Sequence, residues 1–291
     1  MAQTVSPQVT VRQAKPEDGA VCGEICYRAF STINAAHNFP CDFPSSEAAV
    51  DVLTKMFSTP GFYSVVAESE GRIVGSNVLD ERAVIHGVGP ITVDPGIQNH
   101  RVGRTLMQAV MDRSAERHAA GIRLVQAAFH NRSFSLYSGL GFDVREQLAC
   151  VQGQPRTQSV AGCTVRPANA GDWEACNALS RRIHGYDRST DLQQSTEHKM
   201  ARVVERGGRI TGYASALAFF GHATAETNID LQALIASAET FDGPGILVPT
   251  RNAALLRWCL ANDLRVVQLM TLMTMGLYNE PSGAWLPSIL F

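Results

Sequence analysis

Hydrophobic and polar positions alternate in two different periods along the first half of the chain. Residues repeating every second position predict strands, and apolar residues every three or four positions predict helices. In chain order the pattern predicts a strand at 9–13, helices at 17–30 and 46–57, strands at 62–68, 72–80 and 88–93, a helix at 103–118, a strand at 122–128, a short helix at 133–138 and a strand at 142–151. This order predicts an α/β sandwich with a mixed sheet.

The same pattern begins again in the second half of the chain. Thr-Val-Arg-Gln-Ala at 10–14 returns as Thr-Val-Arg-Pro-Ala at 164–168, and Gly-Arg-Ile-Val-Gly at 71–75 returns as Gly-Arg-Ile-Thr-Gly at 208–212. Two ordered echoes indicate an internal duplication. The 291 residues are enough for two domains of ordinary size. We therefore predict domains at 1–151 and 163–291, joined by a polar linker at 152–162.

Composition excludes several classes of protein. Hydrophobic residues make up 45% of the chain, and the net charge is −2. Bulk attraction to nucleic acid or to an anionic membrane is therefore not expected. The apolar runs are shorter than a membrane span, and the polar N-terminus has no secretory signal, which favours a cytoplasmic location. The seven cysteines are scattered without a C-x-x-C pair, so we predict reduced thiols and no metal.

The chemistry in the first half centres on the segment between the predicted strand 88–93 and the helix that begins at Gly103. Pro95 ends the strand, and a helix start follows at once, so unpaired backbone N–H groups and the positive end of the helix dipole favour a phosphate or pyrophosphate. His100, Arg101 and Arg104 add donors and positive charge. An ordinary strand-to-helix turn with a solvated basic rim is the alternative.

This segment resembles the acetyl-coenzyme A loop of the GNAT superfamily of N-acetyltransferases, which reads Q/R-x-x-G-x-G/A. Gln98 and Gly103 fit the motif, whereas Arg101 stands where the first glycine is usual. Residues 131–142, Asn-Arg-Ser-Phe-Ser-Leu-Tyr-Ser-Gly-Leu-Gly-Phe, resemble the second motif of the family, N-x-x-(A/S)-x-x-(L/F)-Y-x-x-x-G-F. The resemblance implies an α/β fold of two GNAT-like domains, each a mixed, mainly antiparallel sheet flanked by helices.

The resemblance also implies a set of acetyl-CoA contacts. The backbone of the fourth strand could supply an oxyanion donor, and Asn131 could bond the pantetheine amides, with a helix cap as its alternative role. The expected cofactor-binding residues are Ile91, Thr92, Val93, Gln98, Asn99, His100, Arg101, Val102, Gly103, Arg104, Thr105, Asn131 and Ser133.

Acetyl transfer to an amine needs a base and an acid. Tyr137 stands at the acid position of the family, and a core tyrosine is the alternative. The fourth strand lacks the glutamate that many family members have, which leaves Glu81 and His86 as base candidates, each with a structural role as its alternative. The resemblance places the stretch from Phe30 to Phe43 over the acceptor side. Its Phe39-Pro40 and Phe43-Pro44 pairs could form an apolar wall, and Asp42 could attract an amine. A plain packed loop is the alternative for Asp42.

The second half repeats the fold without the loop. Its helix near 229–238 follows Thr-Ala-Glu-Thr-Asn at 224–228, and Trp258 falls where a tyrosine is expected. We therefore expect a degenerate domain that does not bind coenzyme A. The sequence predicts an acetyl-CoA-dependent N-acetyltransferase that acts on a primary amine of a small molecule or peptide, and homodimer formation stays open. An acyl-CoA-binding regulatory or interaction protein without turnover is the alternative.

Overall fold

The computed structural model describes residues 9–97, 100–156 and 159–290. Two compact units make up the chain. The first runs to Glu81 and includes Ile85–Ile122, and the second comprises Arg82–Val84 and the chain from Arg123 onward. These units follow spatial contacts, and the boundaries expected from the duplication, 1–151 and 163–291, stay a prediction.

The first unit is an antiparallel sheet covered by helices. Its strands follow the order β1-β2-β3-β4, and β5 also pairs with β3. The elements are β1 (Val9–Gln13), α1 (Gly19–Ala36), α2 (Ser46–Ser58), β2 (Phe62–Ser69), β3 (Arg72–Asp80), β4 (Ile85–Val88), β5 (Thr92–Val93) and α3 (Val102–Glu116). The apolar positions of the helix pattern are Leu106, Met107, Val110 and Met111. The first three are fully buried in α3, and Met111 is half-buried.

The predicted continuous strand 88–93 is wrong. The structure has two short strands instead, and both pair with β3: Val88 lies opposite Leu79, and Val93 lies opposite Gly75. Between them Pro90 has no N–H to give to a ladder, and Gly89 has φ of 134°, a conformation that side chains disfavour. The fourth strand is therefore interrupted at 89–91.

The second unit contains two sheets, with strand orders β6-β13-β7-β12 and β14-β11-β10-β9-β8. Its elements are β6 (Gly121–Ala127, of which the first two residues lie in the first unit), α4 (Asn131–Ser138), β7 (Asp143–Gln152), β8 (Cys163–Pro167), α5 (Trp173–His184), α6 (Ser189–Glu197), β9 (Arg202–Arg206), β10 (Arg209–Ala214), β11 (Ala223–Ala225), α7 (Asn228–Ala236), β12 (Ile246–Pro249), α8 (Ala253–Ala261), β13 (Arg265–Gly276) and β14 (Ala284–Leu286). Both sheets are mainly antiparallel, so the predicted α/β class is confirmed.

The first of these sheets is built by strands from both sequence halves in alternation. β13, from the second half, lies between β6 and β7 of the first half, and β7 in turn lies between β13 and β12. The pairing of β7 with β13 runs from Arg265 opposite Gln152 to Thr274 opposite Asp143. Each half therefore places a strand inside the part of the sheet formed by the other half.

The duplication is visible in equivalent ion-pair networks. Arg12 donates to both carboxylate oxygens of Asp18, at 2.7 and 3.0 Å, and to Glu68 at 2.9 Å. Arg166 donates to both oxygens of Asp172, at 2.7 and 2.8 Å, and to Glu205. A bidentate guanidinium-carboxylate pair fixes the end of the first strand against the helix start in both halves.

None of the described helices is long and apolar enough to cross a membrane. All seven cysteines are free thiols.

Candidate functional site

The interruption of the fourth strand leaves β5 with one partner. In the part of the chain that the structure describes, β5 pairs with β3 alone, through Gly75 and Ser76. A Cβ atom on Gly75 would lie 2.6 Å from the carbonyl oxygen of Thr92, so glycine is required for this close approach. The opposite edge of β5 is thus open to an extended ligand with amide groups.

The turn after β5 is fixed by Asp94. Its backbone N–H donates to the carbonyl oxygen of Val74, and its carboxylate accepts from the Gly96 N–H at 2.9 Å and from Arg28 at 2.9 Å. A short 3-10 turn, Pro95–Ile97, follows. The negative charge of Asp94 is therefore compensated within the turn, which makes the following segment more favourable for an anion.

The helix α3 begins without a side-chain cap. Arg101 is its N-cap residue, with φ of 62° and ψ of 6°, and makes no capping hydrogen bond. The first backbone N–H groups of a helix have no partner within the helix, so at α3 these donors are available to a ligand. Arg101 thus adopts the left-handed conformation that favours glycine, at the position where the family motif has its first glycine. The predicted contacts Gln98 and Asn99 lie outside the described residues.

Positive charge surrounds this helix start. His100, Arg101 and Arg104 are exposed, and no ion pair to another described residue holds either guanidinium. Gly103 is partly exposed, whereas Val102 is buried and can offer only its backbone. Thr105 donates its hydroxyl to the carbonyl oxygen of Arg101 at 3.2 Å. Uncapped N–H groups, a helix dipole and exposed cations fit the charge of a pyrophosphate.

Glu81, the first base candidate, is held in an ion pair. Arg113 of α3 donates to both of its oxygens, at 3.0 and 2.9 Å, and Arg117 lies 4.0 Å away. The hydrogen bond to Glu81 raises the pKa of Arg113. This arrangement favours the structural alternative for Glu81, and its catalytic role stays a prediction.

His86, the second base candidate, is buried in β4. Its Nδ1 lies 2.7 Å from the Ser114 hydroxyl of α3, and burial lowers the pKa of His86, which keeps the ring neutral at pH 7. Ser114 is in the last turns of α3, about 18 Å along the helix axis from Val102 at 1.5 Å per residue. The catalytic role of His86 also stays a prediction.

The predicted acceptor residues belong to the chain that joins α1 and α2. Phe30 packs on Phe43 with ring centroids 6.0 Å apart. The backbone N–H of Phe39 donates to the carbonyl oxygen of Asn34, and Asp42 lies near enough to Cys26 to raise the pKa of that thiol, after the larger effect of burial. The segment is packed back on α1, and a contact with an acceptor stays a prediction.

The second motif forms α4 of the second unit. Tyr137 is buried, with its ring edge against Phe142 at 6.3 Å between centroids. Burial raises the pKa of Tyr137 to about 12, and a hydrogen bond with the Ser133 hydroxyl partly offsets this effect. Asn131 is the exposed first residue of the helix. A phenol with this pKa stays protonated at neutral pH, as a proton donor requires.

The second half has the corresponding helix and strand, but the start of the helix is capped and the strand is paired on both edges. The start of α7 carries a capping box in which the Asp230 carboxylate accepts from the Thr227 N–H at 3.1 Å, and Asp230 also pairs with Arg206. When the two halves are aligned so that Gly75 matches Gly212, β11 matches β5. One edge of β11 pairs with β10 and the other edge pairs with β14. A carboxylate and a strand occupy the places that are open in the first half.

Among the described residues, no group of three or more His, Cys, Asp or Glu side chains could hold a metal ion.

One protein-family model matches part of the first half. Residues 30–142 match the model of the acetyltransferase (GNAT) family. The matched segment contains the loop before α3 and the motif of α4. This part of the chain is therefore similar to GNAT acetyltransferases.

Solved structures extend the fold to the whole chain. A provisionally assigned acetyltransferase from Pyrococcus horikoshii is 16% identical, with 98% of this chain and 96% of that chain covered and a TM-score of 0.72. A GCN5-related N-acetyltransferase from Sphaerobacter thermophilus is 15% identical, with coverages of 94% and 96% and a TM-score of 0.62. A tandem GNAT protein from the clavulanic acid biosynthesis pathway is 13% identical, with coverages of 92% and 98% and a TM-score of 0.55. At these identities the likeness shows the fold, so the predicted GNAT-like α/β fold is confirmed, and the division into two domains stays a prediction. No curated protein matches the chain.

Sequence reasoning missed one group of polar residues in the second unit. The buried side chains of His184 and His222 lie in the same region as the half-buried Asp191, Arg82 and Arg188. Arg82 donates to Gln194, which is 112 positions away in the sequence. No motif connects these positions, and a scattered set of histidines gives no spacing signal.

Proposed function

We propose that the chain transfers an acetyl group from acetyl-CoA to a primary amine, and that the first half binds the cofactor. The observation that carries the proposal is the open start of α3 beside the open edge of β5, both inside the segment that matches the family. The pyrophosphate would accept hydrogen bonds from the backbone N–H groups of Val102 and Gly103. The pantetheine amides would pair with the exposed edge of β5.

The reaction breaks a thioester bond and forms an amide bond. The neutral amine attacks the carbonyl carbon, and the nitrogen of the tetrahedral intermediate gives up a proton to a base or to water. The intermediate then collapses to the amide, and the departing thiolate takes up a proton. A backbone N–H near Ile91–Val93 would stabilise the oxyanion. We assign the proton donor to Tyr137 because it stands at the motif position. Burial raises its pKa to about 12, so the phenol is protonated at neutral pH and acts mainly by hydrogen bonding to the developing thiolate.

We also propose that the second half is silent toward coenzyme A. At the start of α7 the Thr227 N–H donates to the carboxylate of Asp230, which is fully buried, and the Asp230 N–H donates to the Thr227 hydroxyl. Phosphate binding there would require the displacement of this carboxylate, and the two negative charges would repel. Binding of pantetheine at β11 would require the removal of β14. We expect one acetyl-CoA per chain.

The test combines calorimetry with a thiol-release assay. Titration of the full chain with acetyl-CoA should give a stoichiometry near one. A panel of amino acids, polyamines and peptides should then contain an acceptor that releases free coenzyme A, detected with a thiol reagent, in proportion to the acetylated amine found by mass spectrometry. A stoichiometry near two would refute the silent second half.

The alternative is an acyl-CoA-binding regulator without turnover. One observation favours it: Glu81 is held by Arg113 and His86 is bound to Ser114, so each base candidate already has a structural partner. Stoichiometric binding of acetyl-CoA without thiol release for any amine in the panel would support this alternative.

A further inference from the structure

The imidazole at the start of α4 contacts a side chain of its own helix. His130 is the N-cap residue of α4, yet its side chain makes no capping hydrogen bond to the backbone. The Nδ1 atom of His130 instead lies within hydrogen-bonding distance of the Ser133 hydroxyl. At the start of α8, by contrast, the side chain of Asn252 accepts the N–H of Leu255, as N-cap residues usually do. The ring nitrogen of His130 is thus directed at a hydroxyl group.

The Ser133 hydroxyl has a second partner, the phenol of Tyr137. The two residues are four positions apart, so their side chains lie on one face of the helix. Burial raises the pKa of Tyr137 to about 12, and the hydrogen bond with Ser133 acts in the opposite direction. Ser135, which is exposed, donates to the carbonyl oxygen of Asn131 at 2.8 Å, a common role of serine in helices. The side chains of His130, Ser133 and Tyr137 form a hydrogen-bonded row, the α4 row.

The number of hydrogens in the α4 row decides which way the phenol donates. A serine hydroxyl has one hydrogen to donate and can accept from two donors. If Nδ1 of His130 carries a hydrogen, it donates to Ser133, and the serine hydrogen is left for Tyr137. The phenol then keeps its own hydrogen for another acceptor. If Nδ1 has no hydrogen, the serine hydrogen goes to the imidazole, and the phenol hydrogen is drawn to the oxygen of Ser133.

The first of these two arrangements suits a hydrogen bond to a thiolate. A hydroxyl that accepts a hydrogen bond becomes a stronger donor, because hydrogen bonds in series polarise one another. Donation from Ser133 to Tyr137 is also the direction that stabilises a phenolate and so lowers the pKa of Tyr137. The ring of Tyr137 is buried and packs on Phe142. The phenol ring is therefore held in place, and the hydroxyl hydrogen is the part that can turn.

We propose that His130 carries a hydrogen on Nδ1 and, through Ser133, directs the hydroxyl hydrogen of Tyr137 toward the sulfur of the departing thiolate. The inference rests on the proposed function, in which Tyr137 is hydrogen-bonded to that sulfur. His130 and Ser133 are positioning residues, because they act on the reacting atoms through the phenol. All three side chains belong to the second unit, on one short helix.

The hydrogen on the imidazole can be located without turnover. Nuclear magnetic resonance of the full chain, with isotope-labelled histidine and without coenzyme A, distinguishes a protonated ring nitrogen from an unprotonated one by its chemical shift. The signals of His130 are those that disappear in His130→Asn. We expect a hydrogen on Nδ1 at pH 7. An unprotonated Nδ1 would overturn the proposal, whether or not the protein transfers acetyl groups.

Asparagine and aspartate at position 130 test the direction of the hydrogen bond. Both are good N-cap residues of nearly the same shape, but the amide can donate to Ser133, whereas the carboxylate can only accept from it. His130→Asn should keep kcat within about threefold of the wild type, and His130→Asp should lower it by about 10- to 100-fold, the effect of a weakened hydrogen bond to a charged group. Acetyl-CoA affinity should be unchanged in both. An equal fall of kcat in both variants would indicate a structural role and refute the proposal.

A double variant separates the hydrogen bond from the charge of the aspartate. Ser133→Ala introduces the best helix former and removes the competing acceptor together with the donor, so it should lower kcat less than His130→Asp does. His130→Asp combined with Ser133→Ala should therefore be more active than His130→Asp alone. Lower activity in the double variant would show that the charge acts directly, and would overturn the role of Ser133. Ser135→Ala is the matched control on the same helix and should leave kcat unchanged.

The two kinds of measurement keep this proposal separate from the proposed function. If the wild-type protein releases no coenzyme A with any amine, the proposed function fails. The shift of the His130 ring nitrogen then still shows which direction the α4 row has.

Discussion

Substitution of Gly103 by glutamate should move stability and cofactor affinity in opposite directions. Gly103 is the second residue of α3 and is partly exposed. Glutamate has a higher helix propensity than glycine by about 0.5–1 kcal/mol, and a carboxylate near a helix start adds about 0.3–1 kcal/mol. We therefore expect Gly103→Glu to raise the free energy of unfolding by about 1–2 kcal/mol.

The same carboxylate would repel the pyrophosphate. Two unit charges about 6 Å apart at an effective dielectric constant of about 20 repel by about 3 kcal/mol, which corresponds to about 100-fold in affinity for each charge. Calorimetric titration with acetyl-CoA should therefore show a loss of at least about 100-fold, and this loss should shrink at high salt because exposed charges are screened.

Gly103→Gln is the matched control for this substitution. Glutamine has nearly the size of glutamate but no charge, so it should retain the gain in helix propensity and most of the affinity that glutamate removes. An equal loss of affinity in both variants would indicate a steric effect. Unchanged affinity in a folded Gly103→Glu protein would remove the start of α3 from the cofactor site.

Three further predictions concern Tyr137, Arg101 and the buried histidines. Tyr137→Phe should lower kcat by about 10- to 1,000-fold with acetyl-CoA affinity nearly unchanged; full activity would make Tyr137 a core residue only. Arg101→Gly should raise the free energy of unfolding by up to about 1 kcal/mol because φ is 62°, whereas Arg101→Ala should not; a loss of stability in the glycine variant would contradict this explanation. Burial lowers the pKa of His184 to about 3 and that of His222 to about 4, so below pH 6.5 both histidines take up protons in the unfolded chain but not in the folded chain. The folded state therefore loses stability as the pH falls from 6.5 toward 4. Between pH 7 and 5 the free energy of unfolding, measured with denaturant, should fall by about 4 kcal/mol. The fall should be the same in the surface variant His118→Asn and smaller in His222→Gln. Equal stability at both pH values would contradict this expectation.

The hydrophobic pattern predicted nearly every helix and strand of the first half because periodicity is a local property. The repeat of Arg12 and Asp18 as Arg166 and Asp172 was also readable, since both pairs are close in sequence. The pairing partners were not readable. Nothing in the alternation along β13 indicates that it pairs with β7 rather than with a strand of its own half, because register and partner depend on distant parts of the chain.

Some features of the candidate site could likewise be predicted from the sequence, and others could not. The loop before α3 could be predicted because a proline, a glycine and basic residues lie together in sequence. The left-handed conformation of Arg101 could not, because a non-glycine residue seldom adopts it. The structural partners of Glu81 and His86, Arg113 and Ser114, are side chains of a helix that begins after an intervening strand and turn, and residue spacing does not reveal such contacts.

The alternation of β6, β13, β7 and β12 makes the chain comparable to a strand-swapped dimer with its two subunits on one polypeptide. Between separate subunits such an exchange depends on concentration, whereas within one chain the effective concentration is fixed by the linker. After cleavage at 152–162, the ladders of the exchanged strands would still join the two pieces. Residues 1–151 produced alone would expose the backbone edges of β6 and β7 that β13 covers, and unpaired edges of this kind recruit other strands. We expect that fragment to elute as dimers or larger species in size-exclusion chromatography. Strand exchange that would join two molecules thus occurs here within one chain, and each half needs the other half in order to fold.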